Sequence, residues 1–530
     1  MPTLNWIGKD KVINHHLDVP YRVLDLRYTF SAGNGEITNT ESENKIIRGD
    51  NLEALKALLP QYEGKIKCIY IDPPYNTGNE NWVYNDNVND PKFRKWLGQV
   101  VGKEGEDLSR HDKWLCMMYP RLRLLQRLLA DDGIIFISID ENEHRYLELL
   151  MDEVFGSANR IETIIWQNNY GGGSKTKHIV HIHEYILCFA KNAAMIGEIT
   201  LPPNDAVLKY YKYRDEKFDT RGPFRLQPLA TTSMDSRPNL RYPLYFEGNE
   251  IWPEKQWFWS QERAIEAQNN NNLVFSSKKG KWSVNYKQYL VDESGESRGS
   301  KPYSIVTGIY TQQGTKEIKS LLGTGKAFDF PKPPDLISYL LSMVADKDAI
   351  ILDSFAGSGT TAHAVLKMNQ QDGGNRQFIL VEMEDYAETT TAERVRRVMQ
   401  GYGEGNGAVP GTGGDFSFYD LGEPLLIGDM LNPNVPTRRV REYVYFMETK
   451  TPMREDSKHE PYLLGVHQNT AYYFVFEPHR ITVLDDAMLS SIQTHAEEYV
   501  IYADRCALGQ EEMGRLHITF KKIPRDITRL

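Results

Sequence analysis

The sequence predicts an α/β protein with a doubly wound, largely parallel sheet that helices cover on both faces. Short runs of β-branched and aromatic residues alternate with amphipathic stretches from 46 to about 190, and the alternation resumes near Phe330. This pattern is typical of buried strands that are separated by surface helices. The chain of 530 residues is also too long for a single core, so we expect about three or four domains.

The composition is that of a water-soluble globular protein, with 40% hydrophobic, 25% charged and 11% aromatic residues. The cysteines, Cys68, Cys116, Cys188 and Cys506, lack the paired spacing of a zinc site or a disulfide framework, so we expect a reducing cytoplasm. No apolar run approaches the roughly 20 residues that span a bilayer, and the N-terminus lacks the apolar core of a signal peptide. The net charge of -10 does not exclude a nucleic-acid partner, because phosphate affinity depends on local clusters of Lys and Arg.

The first 45 residues show no clear periodicity, and we interpret them as an N-terminal arm of unknown role. The regular pattern begins with a short strand at Ile46 and Ile47 and a glycine turn at Gly49. Asn51 then suits the N-cap of a helix over 52–59. These elements begin the first half of the predicted sheet.

The sequence is organised around the strand Ile66–Ile71 and the four residues that follow it, Asp72-Pro73-Pro74-Tyr75. Two consecutive prolines fix two φ angles and remove two amide donors. The turn is therefore stiff and presents Asp72 and Tyr75 at the edge of the sheet. Taken alone, the same residues also suit an ordinary strand-ending turn.

This turn fits a reaction in which an exocyclic amino group attacks a methyl sulfonium. The amino lone pair of adenine is delocalised into the ring, so acceptors must draw its hydrogens out of conjugation before it becomes a good nucleophile. Asp72 can supply one acceptor and the outward carbonyl of Pro73 a second, while the Tyr75 ring can stack on an extruded base.

The α/β alternation continues after this turn. An amphipathic helix is predicted at 112–129, a strand at 134–139, a helix at 141–154 and strands at 161–166 and 185–190. These elements complete the half of the sheet that carries the Asp72 turn.

Two loops in this region each have two interpretations. The loop with Trp82, Tyr84 and Trp96 suits either stacking on nucleobases or folding back on the domain. The glycine-rich loop at 171–178 suits either a phosphate contact or a plain hairpin. The histidines between 178 and 183 have no accompanying cysteine or second histidine group, so we predict no metal site.

Between about 196 and 305 the regular alternation stops, and tyrosines and tryptophans appear among arginines and lysines. Basic residues outnumber acidic ones from 201 to 330, against the negative charge of the whole chain. Arginine and polar side chains read base edges in a groove while lysines position the backbone, which favours a target-recognition domain. A small β-rich domain with an aromatic core and an ordinary surface is the alternative.

The α/β pattern returns with the strand Ile350–Leu352, which is followed by a glycine turn and the start of a helix. Gly357 and Gly359 allow the backbone to approach a ligand closely, and the helix N-terminus favours a carboxylate. The spacing fits neither a P-loop nor a dinucleotide fingerprint. The next strand, Gln377–Val381, ends at Glu382, whose carboxylate is placed to accept hydrogen bonds from ribose hydroxyls.

The chain continues with a glycine-rich linker at 401–414 and a separate compact unit at 415–530. Strands are predicted in this unit at 472–476, 499–502 and 516–520. The unit carries no recognisable chemistry, and both a docking or dimerisation role and a passive stabilising role are consistent with it.

Two motifs and their order resemble the amino-group DNA methyltransferases. Asp-Pro-Pro-Tyr at 72–75 resembles their catalytic motif in its adenine-N6 form, and Asp-Ser-Phe-Ala-Gly-Ser-Gly-Thr-Thr at 353–361 resembles their cofactor motif. The order of catalytic motif, aromatic basic segment and cofactor motif is that of the β group. The stretches 47–55, 140–143 and 520–525 also look like the Mod subunits of type III restriction and modification systems.

The resemblance implies a Rossmann-like doubly wound methyltransferase sheet with a circularly permuted motif order. The implied domains are an N-terminal arm (1–45), a catalytic half (46–195), an inserted target-recognition domain (196–305), a half that binds S-adenosylmethionine (306–405) and a small C-terminal α/β domain for docking or dimerisation (415–530). The target sequence does not follow from the resemblance, because such proteins differ in their middle segment.

The resemblance also implies site residues. A Gly-Asp pair upstream of the catalytic motif lies against the cofactor adenine in this family, although Asp50 equally suits a helix cap. The implied catalytic residues are Asp72, Pro73, Pro74 and Tyr75, and the implied cofactor-binding residues are Asp50, Asp353, Phe355, Ala356, Gly357, Gly359, Thr360 and Glu382.

By the same resemblance the protein would act as a homodimer on double-stranded DNA, flip out an adenine and transfer a methyl group from S-adenosylmethionine to N6. It would also supply site recognition to a helicase-nuclease partner, the Res subunit. Three alternatives stay open: methylation of cytosine N4 or of an RNA adenine, a stand-alone methyltransferase, and a DNA-binding specificity module whose methylation is dispensable.

Overall fold

The computed structural model describes most of the chain. The described residues are 4–33, 37–38, 41–77, 110–171, 177–203, 205–232, 235–295, 298–323, 328–453 and 460–527. The loop with Trp82, Tyr84 and Trp96 and most of the loop at 171–178 lie outside the described residues.

The chain divides into two compact units. One consists of Met1–Glu198 together with Tyr303–Leu530, and the other of Ile199–Pro302. The second unit lies within the segment 196–305 that the sequence assigns to target recognition. Its recognition role stays a prediction.

The first unit is built on one eleven-stranded sheet. In chain order its strands are β1 (Arg22–Ser31), β2 (Ile37–Thr38), β3 (Lys45–Arg48), β4 (Ile66–Ile71), β5 (Leu129–Ile139), β6 (Arg160–Gln167), β7 (His183–Ala190), β8 (Ile305–Val306), β9 (Ile350–Asp353), β10 (Gln377–Glu382) and β11 (Asp415–Pro424). Across the sheet their order is β8-β6-β7-β5-β4-β9-β10-β3-β11-β1-β2.

The middle of this sheet is parallel and confirms the predicted doubly wound α/β class. β4 and β9 are direct neighbours, with Cys68 opposite Ile351 and Ile69 opposite Leu352. Ile351 and Leu352 are both fully buried; since successive residues of a strand face opposite sides, both faces of the sheet are covered. β5 follows β4 in one direction and β10 follows β9 in the other. Such a reversal is where α/β sheets open a ligand crevice.

The sheet is less parallel than the sequence predicts. β7 runs antiparallel to both β5 and β6, and β1 runs antiparallel to β11. A periodicity pattern does not distinguish these arrangements, because strands buried on both faces are continuous apolar runs in either direction.

The described part of the first unit also contains α-helices. They are Lys9–Val12, His15–Asp18, Asn51–Tyr62, Arg110–Leu128, His144–Met151, Thr311–Leu322, Pro334–Leu341, Thr360–Asp372, Glu393–Gln400, Thr437–Thr449, Asp486–Ser490 and Gln510–Arg515, with π-helical turns at Asp152–Gly156 and Ala387–Ala392. Within the described ranges, no helix combines the length and the apolar character needed to cross a bilayer.

The N-terminal residues are not a detached arm. β1 pairs with β11 from Arg22 opposite Pro424 to Ser31 opposite Asp415. Phe30 of β1 is buried, and its ring centroid lies 5.7 Å from that of Phe416. The sequence does not reveal β1 because its burial pattern is irregular and its partner strand comes near the other end of the chain.

The prediction of a separate unit at 415–530 is also wrong. β11 lies in parallel beside β3 inside the main sheet, and the helix Thr437–Thr449 buries Tyr443 and Phe446 in the main core. The predicted linker at 401–414 contains a pair of short strands, because glycines permit tight turns as readily as they permit linkers. The remaining strands are Gly401–Tyr402 with Val409–Pro410, Leu426–Ile427 with Met430–Leu431, Val483–Leu484 with Arg505–Cys506, and a four-stranded sheet of Leu463–His467, Thr470–Phe474, Glu498–Ala503 and Ile518–Lys522.

The second unit is rich in β-structure around an aromatic core. Trp257 and Tyr242 are buried at its centre. The two ends of the unit are joined by an antiparallel bridge between Leu201 and Ser300. Its elements are a sheet of Phe224–Pro228, Leu273–Lys278 and Lys281–Tyr289, the strand pairs Leu244–Phe246 with Asn249–Ile251 and Ala230–Thr231 with Gln256–Trp257, and the helices Asp205–Leu208, Phe218–Arg221 and Gln261–Asn269.

The pairing of β1 with β11 predicts a large stability effect of Phe30. Phe30→Ala should lower the unfolding free energy by about 3–5 kcal/mol, because it removes a buried aromatic ring from a well-packed edge. Chemical denaturation measures this change. Arg27→Ala, on the exposed side of the same strand, is the matched control and should change the unfolding free energy by less than about 1 kcal/mol. Equal small effects would show that β1 adds little to the fold.

Candidate active site

The two sequence motifs meet at the carboxyl ends of β4 and β9. Because these strands are parallel neighbours, Asp72 and the turn that begins at Ser354 leave the sheet at the same edge. Both motifs line one cavity of about 440 Å³. Its lining includes Asp72, Pro73, Tyr75, Asp353, Phe355, Ala356, Gly357, Ser358, Thr360 and Thr361 from the motifs, and Glu184, Phe328, Phe330 and Lys332 from elsewhere.

The Asp72 turn is clamped by groups outside the motif. The indole Nε1 of Trp114, which is fully buried, donates to the Pro74 carbonyl at 2.7 Å. Asn76 follows the turn in a left-handed conformation with φ of 56°. Its side-chain amide donates to the Arg110 carbonyl at 3.2 Å. These bonds fix the carboxyl-terminal end of a turn that the prolines already stiffen.

Glu143 holds the carboxyl-terminal end of the Asp72 turn through Asn76. Its fully buried carboxylate accepts hydrogen bonds from the Asn76 amide and, at 2.6 Å, from Nδ1 of His111. Burial raises the pKa of Glu143, and these two hydrogen bonds oppose the rise. Glu143 lies in the stretch 140–143 that carries part of the family resemblance, but its bond to Asn76 requires the folded structure to be seen.

Asp72 and Tyr75 are joined at the mouth of the turn. The Tyr75 hydroxyl lies 2.9 Å from Oδ1 of Asp72 and 2.9 Å from Oε2 of Glu184. A phenol carries one proton, so it donates to one of these carboxylates at a time. The Pro73 carbonyl, which we expect to act as the second acceptor, has no hydrogen-bond partner among the described residues.

Lys332 supplies the positive charge of this site. Its Nζ lies 2.9 Å from each carboxylate oxygen of Asp72, 2.8 Å from the Tyr75 hydroxyl and 3.3 Å from Oε2 of Glu184. Burial raises the pKa of Asp72, while Lys332 opposes that rise and Glu184 adds to it. Burial also disfavours the charge of Lys332, but Asp72 and Glu184 together raise its pKa above the ordinary value.

Asp353 closes the glycine turn on itself. Its Oδ1 accepts from the Phe355 amide at 3.0 Å, and its Oδ2 accepts from the Thr361 hydroxyl at 2.6 Å. Burial raises the pKa of Asp353 to about 7, and the two hydrogen bonds oppose the rise. Asp353 therefore fixes the turn between the strand end and the first residues of the helix Thr360–Asp372.

Glu382 lies behind the glycine turn. Its Oε2 accepts from the Gly357 amide at 2.7 Å and its Oε1 from the Glu384 amide at 3.0 Å. Burial raises the pKa of Glu382 to about 7. Gly359 has a φ of 80°, and a Cβ there would lie 3.1 Å from the Thr391 carbonyl, so both the conformation and the space favour glycine.

Arg394 is a buried support of the turn that the sequence does not indicate. Its guanidinium is fully buried and donates from Nη1 to the hydroxyls of Ser358 and Thr360, both at 2.7 Å. Burial lowers the pKa of Arg394 to about 10. The guanidinium therefore orients two hydroxyls that lie at the cavity wall.

Asp50 has the geometry of a helix cap. Its Oδ1 accepts from the amides of Leu52 and Glu53, at the start of the helix Asn51–Tyr62. Its Oδ2 accepts from Arg121 at 3.2 Å. Asp50, and not the predicted Asn51, is thus the N-cap, because its carboxylate reaches two unpaired amides of the first turn.

The implied site residues fall into two groups in the structure. Asp72, Pro73, Tyr75, Asp353, Phe355, Ala356, Gly357 and Thr360 line the cavity, whereas Pro74, Gly359, Glu382 and Asp50 lie outside its lining. Their roles in catalysis and cofactor binding stay predictions. The sequence reasoning missed Lys332 and Glu184; the prolines on both sides of Lys332 were the only local signal.

The cavity chemistry fits S-adenosylmethionine. That molecule carries a sulfonium and an ammonium, and the carboxylates of Asp72, Asp353 and Glu184 line the cavity. The aromatic rings of Phe328 and Phe355 offer apolar surface to a nucleoside. Within the described ranges, no three His, Cys, Asp or Glu side chains are grouped to hold a metal ion.

Comparison with known proteins places the chain in a family. Residues 66–393 match the family model described as DNA methylase (N6_N4_Mtase). This match spans more than half of the chain, and the chain belongs to this DNA methylase family.

Curated relatives within this family include type III Mod subunits. The chain is 35% identical over 73% of its length to the EcoPI Mod subunit of Escherichia phage P1, and 34% identical over 67% to the StyLTI Mod subunit of Salmonella typhimurium strain LT2. These matches span 64% and 54% of the two relatives, less than two thirds of their length. A third relative, the type II methyltransferase M.KpnI of Klebsiella pneumoniae, is 34% identical over 64% of the chain and 81% of its own length.

Solved structures with some likeness are more distant. One is a putative DNA modification methylase of Thermus thermophilus, with 15% identity, a TM-score of 0.34, and coverage of 71% of this chain and 99% of that chain. Another is the cytosine-N4-specific PvuII DNA methyltransferase, with 14% identity, a TM-score of 0.34, and coverage of 67% and 87%. Family membership therefore rests on the sequence comparisons.

Asp353 should make the unfolding free energy depend on pH. Its folded-state pKa of about 7 lies above the roughly 3.9 of an unfolded chain, so between these values only the folded state keeps the proton. Stability should fall as pH rises from about 4 to about 7, by up to about 1.4 kcal/mol per pH unit from this group. Asp353→Asn keeps the acceptor for the Phe355 amide and should remove this part of the slope in denaturation series at several pH values.

The control for this experiment is Asp132→Asn. Asp132 is half exposed beside Lys67, and this variant should keep the wild-type slope. An identical slope in wild type and Asp353→Asn would contradict a protonated, buried Asp353.

Proposed function

We propose that this protein transfers a methyl group from S-adenosylmethionine to N6 of adenine in double-stranded DNA, as the modification and specificity subunit of a type III restriction-modification system. The observation that carries this proposal is the shared cavity of the Asp72 turn and the glycine turn, which lie at the ends of adjacent parallel strands. Membership of the DNA methylase family supports it.

The choice of adenine N6 rests on two observations. The catalytic turn begins with Asp72, as in the adenine-N6 form of the motif. Two relatives at 34–35% identity are named as type III Mod subunits. The site suits an extruded base because the Asp72 turn lines a cavity at the edge of the sheet.

The residues of the Asp72 turn would activate the amino group. Asp72 and the Pro73 carbonyl accept its two hydrogens, which draws the nitrogen lone pair out of conjugation with the ring. Tyr75 stacks on the base and holds its plane. Because burial raises the pKa of Asp72, its carboxylate is also able to take the proton that the amino group loses. Catalysis is then mostly positioning and exclusion of water, with no covalent bond to the protein.

The glycine turn would hold the methyl donor. When bound, S-adenosylmethionine supplies a methyl carbon on a positively charged sulfur, which keeps the electron pair of the broken bond. Gly357 allows the donor to approach the backbone, and the N-terminus of the helix Thr360–Asp372 favours its carboxylate. Asp353 and the buried Glu382 hold the turn in shape, with Glu382 one amide away from the cavity wall.

Recognition of the DNA sequence is assigned to the unit Ile199–Pro302. This unit exposes several large aromatic side chains. Its basic residues outnumber its acidic ones, whereas the whole chain has a negative net charge. The exposed aromatics are Tyr210, Tyr213, Tyr245, Trp252 and Phe258. A homodimer and a helicase-nuclease Res partner complete the proposed assembly, in keeping with the relatives named as Mod subunits.

A stand-alone methyltransferase is the second candidate. It is favoured by the type II methyltransferase M.KpnI, 81% of whose length is matched by this chain. Purification of the tagged protein from its source cells distinguishes the two candidate functions. Co-purification of a helicase-nuclease supports the type III assignment. Purification of the methyltransferase alone supports the second candidate.

The proposed reaction predicts the effect of Asp72→Ala. Removing the acceptor of the amino group should lower methyl transfer to DNA by about 100-fold or more while cofactor binding persists. Transfer of labelled methyl groups measures the rate, and nucleoside analysis of the product identifies the base. Asp132→Ala, which removes an exposed carboxylate, is the control and should retain the wild-type rate. Near-normal transfer by Asp72→Ala would refute the role of Asp72, and label on cytosine would refute adenine N6.

A further inference from the structure

Lys332 bonds to the same carboxylate oxygens that the target amino group would use. Its Nζ contacts both oxygens of Asp72 at 2.9 Å, and its side chain is only 10% exposed. The amino group of an extruded base must donate to Asp72 through the same oxygens. The ammonium and the amino group therefore compete for one acceptor.

Glu184 offers the ammonium a second acceptor close by. Its Oε2 lies 3.3 Å from Nζ of Lys332. Its Oε1 accepts from the Asn168 amide at 2.8 Å, which fixes the carboxylate in place. A small movement of Nζ exchanges Asp72 for Glu184, while the Tyr75 hydroxyl at 2.8 Å remains within reach.

The backbone of Lys332 is held where this exchange is possible. Prolines stand on both sides of it, at 331 and 333. The chain packs against the helix Thr311–Leu322 at Gly314, where an added Cβ would overlap the Pro331 carbonyl and lie 3.1 Å from that of Lys332. This tight contact holds the backbone of Lys332 beside the site. The exchange from Asp72 to Glu184 therefore requires a movement of the side chain alone.

We propose that Lys332 is a positioning residue that balances the charges of Asp72 and Glu184 and passes from Asp72 to Glu184 when the target amino group binds. This inference rests on the proposed function. Before the base enters, the buried site contains two carboxylates that share one ammonium. After the base enters, Lys332 pairs with Glu184, and Asp72 accepts a hydrogen bond from the base. An ammonium that stayed on Asp72 would compete with the substrate for that carboxylate, and one that left the site would leave both carboxylates buried without a counter-charge.

The charged groups around Asp72 determine in which direction each substitution should shift its pKa. The groups that face it are Lys332, Glu184, Tyr75, Tyr70 and Asp353. Of these, Lys332 lowers the pKa of Asp72 and Glu184 raises it. Because the acceptor must be ionised, activity should rise with pH through the pKa of Asp72.

The test is the acid limb of kcat/KM for DNA methylation in a set of variants. Lys332→Met should shift this limb to higher pH by about one to three units, the usual influence of a close opposite charge. Glu184→Gln should shift it to lower pH. The acid limb of the double variant Lys332→Met/Glu184→Gln should lie between those of the two single variants. In that variant Asp72 has lost both the attraction of Lys332 and the repulsion of Glu184. Lys367→Met removes an exposed lysine that pairs with Asp335 at 2.7 Å and should leave the limb unchanged.

Two results would overturn the inference. One is an unshifted acid limb in Lys332→Met. The other is a double variant that remains as far shifted as Lys332→Met, since charge balance requires Glu184→Gln to compensate. If the acid limb of Lys332→Met is unshifted and its cofactor dissociation constant rises strongly, the inference is also overturned. Lys332 would then be a cofactor ligand.

Gly314→Ala provides a test that keeps the lysine. The added methyl group should push the backbone at 331–332 away and reproduce the upward shift of the acid limb. A wild-type limb in a folded Gly314→Ala protein would count against delivery of Lys332 by this contact.

Failure of the proposed function has a different signature. Wild-type protein that methylates no DNA refutes that function directly. The charge balance is then still tested by the unfolding free energy as a function of pH: Lys332→Met should lose stability as pH rises and its carboxylates ionise, and Glu184→Gln should restore part of that loss. Parallel curves for the single and double variants would refute the charge balance.

Discussion

The parallel pairing of β4 and β9 is the constraint on which the site depends. Cys68 lies opposite Ile351 and Ile69 opposite Leu352, so β4 ends only one residue beyond β9. A shift of one residue would turn the buried side chains of one strand toward the opposite face of the sheet. Because different side chains are closely packed on the two faces, such an exchange is disfavoured, and the register fixes the distance between the acidic turn and the glycine turn.

Around this constraint the protein concentrates carboxyl groups in a poorly solvated cleft. Asp72, Glu184 and Asp353 line the cavity, and Glu382 lies directly behind it. The ammonium of Lys332 lies within hydrogen-bonding distance of Asp72. Burying carboxylates costs free energy unless they are paired or protonated. Asp72 uses the first solution, through Lys332, while Asp353 and Glu382 have pKa values raised to about 7 by burial. An acidic cleft of this kind suits a positively charged donor and a neutral acceptor.

Local patterns predicted the strands and turns of the site because each depends on neighbouring residues. The apolar run before Asp72 and the glycines after Asp353 are examples, and the strand bounds Ile66–Ile71 agree with the structure. Lys332, Arg394 and Trp114 were not predicted, since their partners are remote in sequence and a lone lysine, arginine or tryptophan has no periodic signal. Asp50 was ambiguous for another reason: a carboxylate before a helix suits both a ligand contact and a cap. Its bonds to Leu52 and Glu53 show the cap, and the ligand contact stays a prediction.

The bridge between Leu201 and Ser300 brings the two ends of the inserted unit together. A segment that starts and finishes at one point can lengthen, shorten or be replaced without altering the spacing of the chain on either side. A substitution inside the inserted unit can therefore alter its surface chemistry while the strand register outside it persists. The point at which the inserted unit begins and ends thus leaves the main sheet independent of the length of the insertion.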